Sequence, residues 1–217
     1  MYTLEQRWDV GLRSTYRLCR FWQKKIIFLD EAHFDLGEQN CHIWGTEKPH
    51  AYIEKPTHPK RVTVWCGFWS RDIIGLVFFE NEQGETITAN CVRYRAMLNE
   101  FLFTKIEEDD VDNIWFQQDG ATCHTAEATL DVLYPLFEDC IICRRADVVW
   151  PPRSCDLTPL DYYLWSAVKD KSETTDALKH NIREAIGEIQ LHTIDNVLLK
   201  LDRSCRVLQG QPRQRFE

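Results

Sequence analysis

The stretch NIWFQQDGATCHTAEATLDVLYPLF, residues 113–137, decides the fold class. Its first six residues, 113–118, are a short apolar run that reads as a buried strand. Asp119 and Gly120 follow as a common turn dipeptide. From Thr125 the period changes, and Ala126, Leu130, Leu133 and Phe137 fall on one stripe of a helix. A strand that hands over to a helix through a short turn is the building unit of an α/β domain, and the chain repeats the alternation on both sides.

Upstream, KKIIFLD (24–30) reads as a buried central strand whose last residue is Asp30. A polar excursion follows over 36–60, broken by Gly37, Gly45, Pro49, Pro56 and Pro59. RVTVWCGFW (61–69) and IIGLVFF (73–79), with three residues between them, predict an antiparallel hairpin. From Thr88, Tyr94, Met97, Leu98 and Phe101 take the spacing of an amphipathic helix. Downstream, CIICRR (140–145) reads as a strand. WPPRSCDLTP (150–159) runs extended, because each proline restricts the residue before it. A third helix starts over Thr158 to Asp161. In the tail, Leu178, Ile182, Ala185, Ile186 and Ile189, then Ile194, Val197, Leu198 and Leu201, recur at helical spacing. No repeat or low-complexity tract interrupts this order. It is the order of an α/β domain with a mixed sheet flanked by helices, plus a C-terminal helical tail, and also that of a ribonuclease H-like fold. It divides the chain into 1–23, 24–171 and 172–217.

Composition limits the function classes. With 217 residues, 44% hydrophobic and 28% charged, the chain has material for one sizeable core. Its longest wholly apolar stretch, Ile73 to Phe79, is far below the about 20 residues a bilayer span requires. Residues 1–23 are polar and lack the apolar segment of a secretory signal, so the expected location is inside the cell. Nine cysteines, an odd number, then read as reduced thiols. A net charge of −8 argues against a chain that coats phosphate backbones, so any nucleic-acid role rests on local chemistry.

Asp30, Asp119 and Asp161 sit at ends of predicted elements, and side chains at adjacent strand ends in a mixed sheet can converge on one edge. Carboxylates gathered there repel unless divalent cations sit among them, and oxygen ligands are what magnesium and manganese prefer. Such a cluster suits two-metal phosphoryl transfer. Each acid also has a plainer explanation. Asp119 belongs to a turn dipeptide. Asp30 closing a strand could satisfy backbone donors in the next turn. In Thr158-Pro159-Leu160-Asp161, the threonine reads as an N-cap with an acid three residues later. Asp30-Glu31-Ala32-His33 spells a helicase box, but no G-x-x-x-x-G-K-[ST] loop accompanies it. Cys140 and Cys143 have zinc-like spacing, yet on a strand they face opposite ways and no second ligand pair follows, so they read as core cysteines. His124 either touches substrate or metal, or hydrogen-bonds within its loop. Trp65, Trp69, Trp115, Trp150 and Trp165 read as packing. Arg144, Arg145, Arg153, Lys169 and Lys171 gather near the third acid, as a DNA-phosphate contact or a solvated basic face.

Taken together, FLDEAHF (28–34), WFQQDGATCHTA (115–126) and WPPRSCDLTPLDYYLW (150–165) resemble, in order and neighbours, the three blocks of a mariner-type transposase catalytic domain of the Tc/mariner superfamily. The resemblance runs from about Lys24 to Lys171 and continues more weakly over 179–198. It implies a ribonuclease H-like catalytic domain that cleaves phosphodiesters and transfers strands at transposon ends. It implies Asp30, Asp119 and Asp161 as catalytic metal ligands, with Asp156 a nearby decoy, and two Mg2+ or Mn2+ ions per site. The implied partners are DNA and a second copy or an intact transposase, with no membrane, in the nucleus. The last two acids have 41 residues between them (120–160), and the third is aspartate, which makes this a D-D-D variant with a long last spacing. Against the same family, residues 1–25 leave no room for the N-terminal helix-turn-helix pair, although MYTLEQRW resembles the usual opening. The excursion used as a clamp looks short at 34–45, a contraction follows Lys171, and the similarity fades after Leu201. These departures imply a truncated copy with impaired activity, or else a non-catalytic remnant that binds DNA or an intact transposase weakly.

Overall fold

A computed structural model describes residues 25–37, 60–109, 114–146, 148–150, 155–168 and 172–208. The expected excursion beyond Gly37, the opening segment, the paired prolines, Arg153, Lys169 and Lys171 lie outside the described residues. Six strands form one mixed sheet: β1 (Ile26–Asp35), β2 (Arg61–Phe68), β3 (Ile73–Phe78), β4 (Trp115–Gln117), β5 (Ile141–Cys143) and β6 (Val148–Val149). Their spatial order is β3-β2-β1-β4-β5-β6, with β1 antiparallel to β2 and parallel to β4. The expected hairpin is present as β2 and β3.

β1 differs from its reading in one respect that bears on the site. It continues five residues past Asp30, so Asp30 lies in mid-strand rather than at its end. The ladder to β2 carries it there, pairing Asp30 with Cys66 and running on to Asp35 with Arg61. Beyond the apolar run the strand alternates: Ala32 and Phe34 pack into one core while Glu31 and His33 take the other face. An apolar count stops at Leu29 and cannot see a strand held by its partner. On β3, Gly75 and Leu76 adopt positive φ of 88° and 86° at a bulge, and a Cβ on Gly75 would stand 2.7 Å from the Trp65 ring.

Two apolar cores sandwich the sheet. One joins Ile27, Leu29, Trp65 and Phe116 to helix α1, which begins at Cys91–Met97, opens into a wide turn at Leu98–Phe103 and continues over Thr104–Asp109, and to helix α2 (Glu127–Phe137). Asn90 caps α1, its side chain accepting from the Arg93 N–H at 3.0 Å. The wide turn inserts extra residues per turn, so the buried face runs through Tyr94, Met97 and Leu98 to Leu102. The expected Phe101 is thereby rotated out and is 44% exposed. In α2, Leu130, Leu133 and Phe137 are buried as their spacing predicts.

The other core joins Phe28, Val64, Cys66 and Phe68 to α3, which begins as a wide turn (Leu160–Leu164) and continues over Trp165–Ala167. It also takes in α4 (Thr175–Gly187) and α5 (Leu191–Leu208). Leu178, Ile182 and Ile186 of α4, and Ile194, Val197, Leu198 and Leu201 of α5, are buried against this face of the sheet. Lys179, only 7% exposed, pairs with Glu80 and ties α4 to the segment after β3. Among the described residues no helix is long and apolar enough to cross a membrane.

Candidate active site

Asp30 shares a sheet face with Phe28, and that face is covered by α3. The Trp165 indole N–H donates to Asp30 Oδ2 at 2.8 Å. Burial, and then the charge of Asp161, push the Asp30 carboxyl up to about 7, against the Trp165 hydrogen bond that favours its anion. Asp161 stands four residues before Trp165, at the start of α3. Burial and the charge of Asp119 push it up as well. A carboxylate that caps a helix is held down by the N–H groups it accepts, and no such hydrogen bond is among the influences on Asp161. Capping therefore does not account for Asp161. Asp156 is exposed on the turn before the helix.

Asp119 follows β4 in a loop built from buried hydrogen bonds. Gln118 accepts from the Tyr94 hydroxyl at 2.8 Å and donates to the His124 carbonyl at 3.1 Å. Asp119 Oδ1 then takes the Ala121 N–H at 2.9 Å and His124 Nδ1 at 2.6 Å. His124 Nε2 meets Glu31 Oε1 at 3.1 Å, and the ring is 1% exposed with its centroid 4.3 Å from that of Tyr94. Two acceptors, one at each ring nitrogen, require two donors, so His124 is an imidazolium. Burial works against that charge, but the electrostatics of Tyr94 and the hydrogen bonds to Asp119, Cys123 and Glu31 outweigh it and raise the ring well above its ordinary value. Burial also pushes Asp119 up, and the bonds from His124 and Ala121 reverse this and hold it low.

The three acids therefore share one electrostatic neighbourhood: Asp161 acts on Asp30, and Asp119 acts on Asp161. Among the described residues no three His, Cys, Asp or Glu side chains close tightly enough to form a metal-holding group as they stand. The chemistry of the set nevertheless fits a hard cation: the donors are all carboxylate oxygens, and two of them are raised by burial and then by a neighbour's charge. On β4 beside them in the sheet, Gln117, in register with Phe28, buries a side-chain carbonyl oxygen that has no partner.

Several participants escaped the sequence reading. Glu31 follows Asp30 and so faces the opposite side, where it holds His124. Trp165, read as packing, carries a polar contact to Asp30. Strand alternation and the four-residue step from Asp161 are the signals that could have found them. His124 takes the loop role, holding Asp119. Of the expected DNA-contact residues, Arg144 and Arg145 are exposed just past β5, which ends at Cys143 rather than at 145. The Arg144 stem lies against Gly120, where a Cβ would come within 3.1 Å of its Cδ, so the glycine admits the arginine beside Asp119. Cys143 is buried and Cys140 partly buried; both pack into the α1–α2 core, because Cys140 precedes the strand and escapes its alternation. Cys66, Cys91, Cys123 and Cys155 are likewise free thiols.

No protein-family model matches the sequence, and no curated protein does either. Solved structures do. The crystal structure of the catalytic domain of Mos1 mariner transposase is 17% identical with a TM-score of 0.68, covering 97% of this chain and 95% of that one. The Mos1 paired-end complex with Mn is 17% identical at 0.73, and the pre-cleavage Mos1 transpososome 16% at 0.73. These cover 98% and 100% of this chain but 63% and 66% of the transposase chains. In another paired-end complex, with the left transposon end, the share is 61%, so this chain spans somewhat less than two thirds of the transposase it matches. At such identities the likeness speaks for architecture: the chain has the α/β, ribonuclease H-like fold of the Mos1 mariner transposase catalytic domain, a mixed six-stranded sheet flanked by helices.

Proposed function

We propose that the chain is a mariner-type DNA transposase catalytic domain, cleaving phosphodiesters and transferring strands at transposon ends with Asp30, Asp119 and Asp161 as its metal ligands. The observation that carries this reading is the linkage of the three acids through Asp161, on a sheet with the Mos1 fold. Solved Mos1 complexes include one with Mn, another with Mg and one with the left transposon end. By extension, this chain's partners are DNA and a second transposase subunit, its cofactor is Mg2+ or Mn2+, two ions per site, and its workplace is the nucleus. Bound there, the ions would supply Lewis acidity toward the phosphodiester and its leaving oxygen.

The protein's own part is to deliver and hold the ligands. His124 and the Ala121 N–H keep Asp119 ionised and fix it through Oδ1. α3 presents Asp161. Burial and the charge of Asp161 push Asp30 up to about 7, and a cation held there would favour its ionised form. Arg144 and Arg145, with Arg153 and Lys169, contact the DNA phosphates, which position the strand without reading its sequence.

The test is Mn2+ titration of the purified protein, following thermal stability, with Asp119→Ala alongside, then a plasmid-nicking assay. A Mn2+-dependent rise in melting temperature that the variant lacks supports the reading. Identical flat curves refute it. The second reading, a remnant that binds DNA or an intact transposase weakly without cutting, has one observation in its favour: the acids do not close into a metal-holding group as folded. Flat curves together with retained DNA binding would establish it.

A further inference from the structure

The first turn of α3 is wide. The Trp165 backbone N–H bonds to the Leu160 carbonyl, five residues back, rather than closing an ordinary α turn. Pro159 starts the helix, Asp161 follows in its first turn, and Trp165 closes that turn, so one short element presents both an acid and an indole to β1. Trp165 is 9% exposed. Its ring meets Phe34 edge-on, with centroids 6.0 Å apart and planes at 71°. Phe34 lies four residues beyond Asp30 on the same strand and face. The ring is thus held against β1 at one site while its single N–H points at Asp30 Oδ2, 2.8 Å away. A buried indole N–H needs an acceptor, and here the acceptor is a carboxylate of the candidate site rather than a backbone carbonyl.

We infer that Trp165 is a positioning residue for Asp30: its indole N–H, clamped by Phe34 and the wide turn of α3, fixes the carboxyl plane through Oδ2 and so sets how that acid meets the divalent ion. The inference rests on the proposed metal site. Hydrogen bonds of this kind orient metal ligands, and their loss typically weakens metal binding 10- to 100-fold. The same bond couples the two acids mechanically, because the helix that carries Asp161 also holds Asp30.

The decisive variant is Trp165→Phe, which keeps an aromatic ring beside Phe34 and deletes the donor. The expected result is a melting temperature without metal close to that of the unaltered protein, with the Mn2+ midpoint of thermal stabilisation raised about 10-fold. The DNA KM of nicking stays unchanged while its Mn2+ requirement rises by the same factor. A purely structural tryptophan would move neither Mn2+ midpoint. If the phenylalanine variant fails to fold, 3-benzothienylalanine at position 165, with sulfur in place of the N–H, carries the test. Unmoved Mn2+ midpoints in the folded variant overturn the inference and leave the metal site standing. An unaltered protein that shows no Mn2+ response overturns the metal site and the inference with it.

Discussion

Asp30, in mid-strand on β1, and Asp119, in the loop after the neighbouring β4, are the same side chain, and their surroundings push them in opposite directions. Asp119 is ionised because the protein supplies its partners: the His124 imidazolium, itself anchored by Glu31, and a backbone N–H. Asp30 is pushed up to about 7 because it is buried beside Asp161 and receives only neutral donors, the Trp165 indole and the Glu31 backbone N–H, against that field. One acid is neutralised in advance by the fold. The other is left waiting for positive charge. The difference shows how a carboxylate site can be stable when empty and still have affinity for a cation: the cost is concentrated on the acid that the ion relieves.

The comparison breaks most visibly if either acid is dispensable. Asp30→Ala, Asp119→Ala and Asp161→Ala should each lower Mn2+-dependent nicking by at least roughly 10³-fold in a plasmid assay, since groups that act as a unit fail as a unit. For Asp161, nicking left intact by the substitution would remove it from the metal site.

Removing the imidazolium tests the Asp119 side. His124→Ala leaves Glu31 and Asp119 facing each other without their cation and should cost about 2–3 kcal/mol in chemical denaturation, below the usual range for a fully buried pair because Asp119 is half exposed. Because the folded value of His124 is raised, its stabilisation is fully present below its ordinary value of 6.5 and disappears as pH rises through the raised one. The deficit of the variant should therefore be full at pH 6 and shrink in alkali.

Asp30 shifts the wild type in the same direction, stability falling as pH rises, but here removing the group should help. Its folded value lies above the unfolded 3.8, so its contribution is intact at pH 3 to 4 and is lost as pH rises through about 7. Asp30→Asn in EDTA should accordingly be more stable than the wild type by roughly 2 kcal/mol at pH 8 and nearly equal to it at pH 4, read as melting temperatures at both pH values. A variant destabilised at pH 8 would show that Asp30 is not the strained member of the pair.

The smallest effect belongs to Arg144, whose stem lies over Gly120 beside Asp119. Arg144→Ala should weaken DNA binding equally for unrelated sequences and lower the salt dependence of binding by about one phosphate contact. A sequence-selective loss would assign it a recognition role instead.

Much of the fold was legible because it follows from periodicity. The hairpin, the α2 stripe at Leu130, Leu133 and Phe137, and the two late helices obey spacings that local geometry imposes. What escaped was set by neighbours. β1 runs past its apolar core because β2 pairs with it, Phe101 turns outward because α1 widens, and the two residues of β6 form a strand only because β5 lies alongside. The site divides in the same way. The three aspartates stand out as acids at the ends of expected strands and at the start of a helix, and their blocks carry the mariner resemblance. That Glu31 holds His124, that His124 holds Asp119, and that Trp165 reaches Asp30 are contacts across 93, 5 and 135 residues.

By itself the sequence determined the α/β class, the order of its elements and which carboxylates were available, since each depends on residue type and spacing along the chain. Only the tertiary structure decided that Asp119 is held low and Asp30 is pushed up to about 7, because burial, hydrogen bonds and the field of neighbouring charges belong to the folded arrangement.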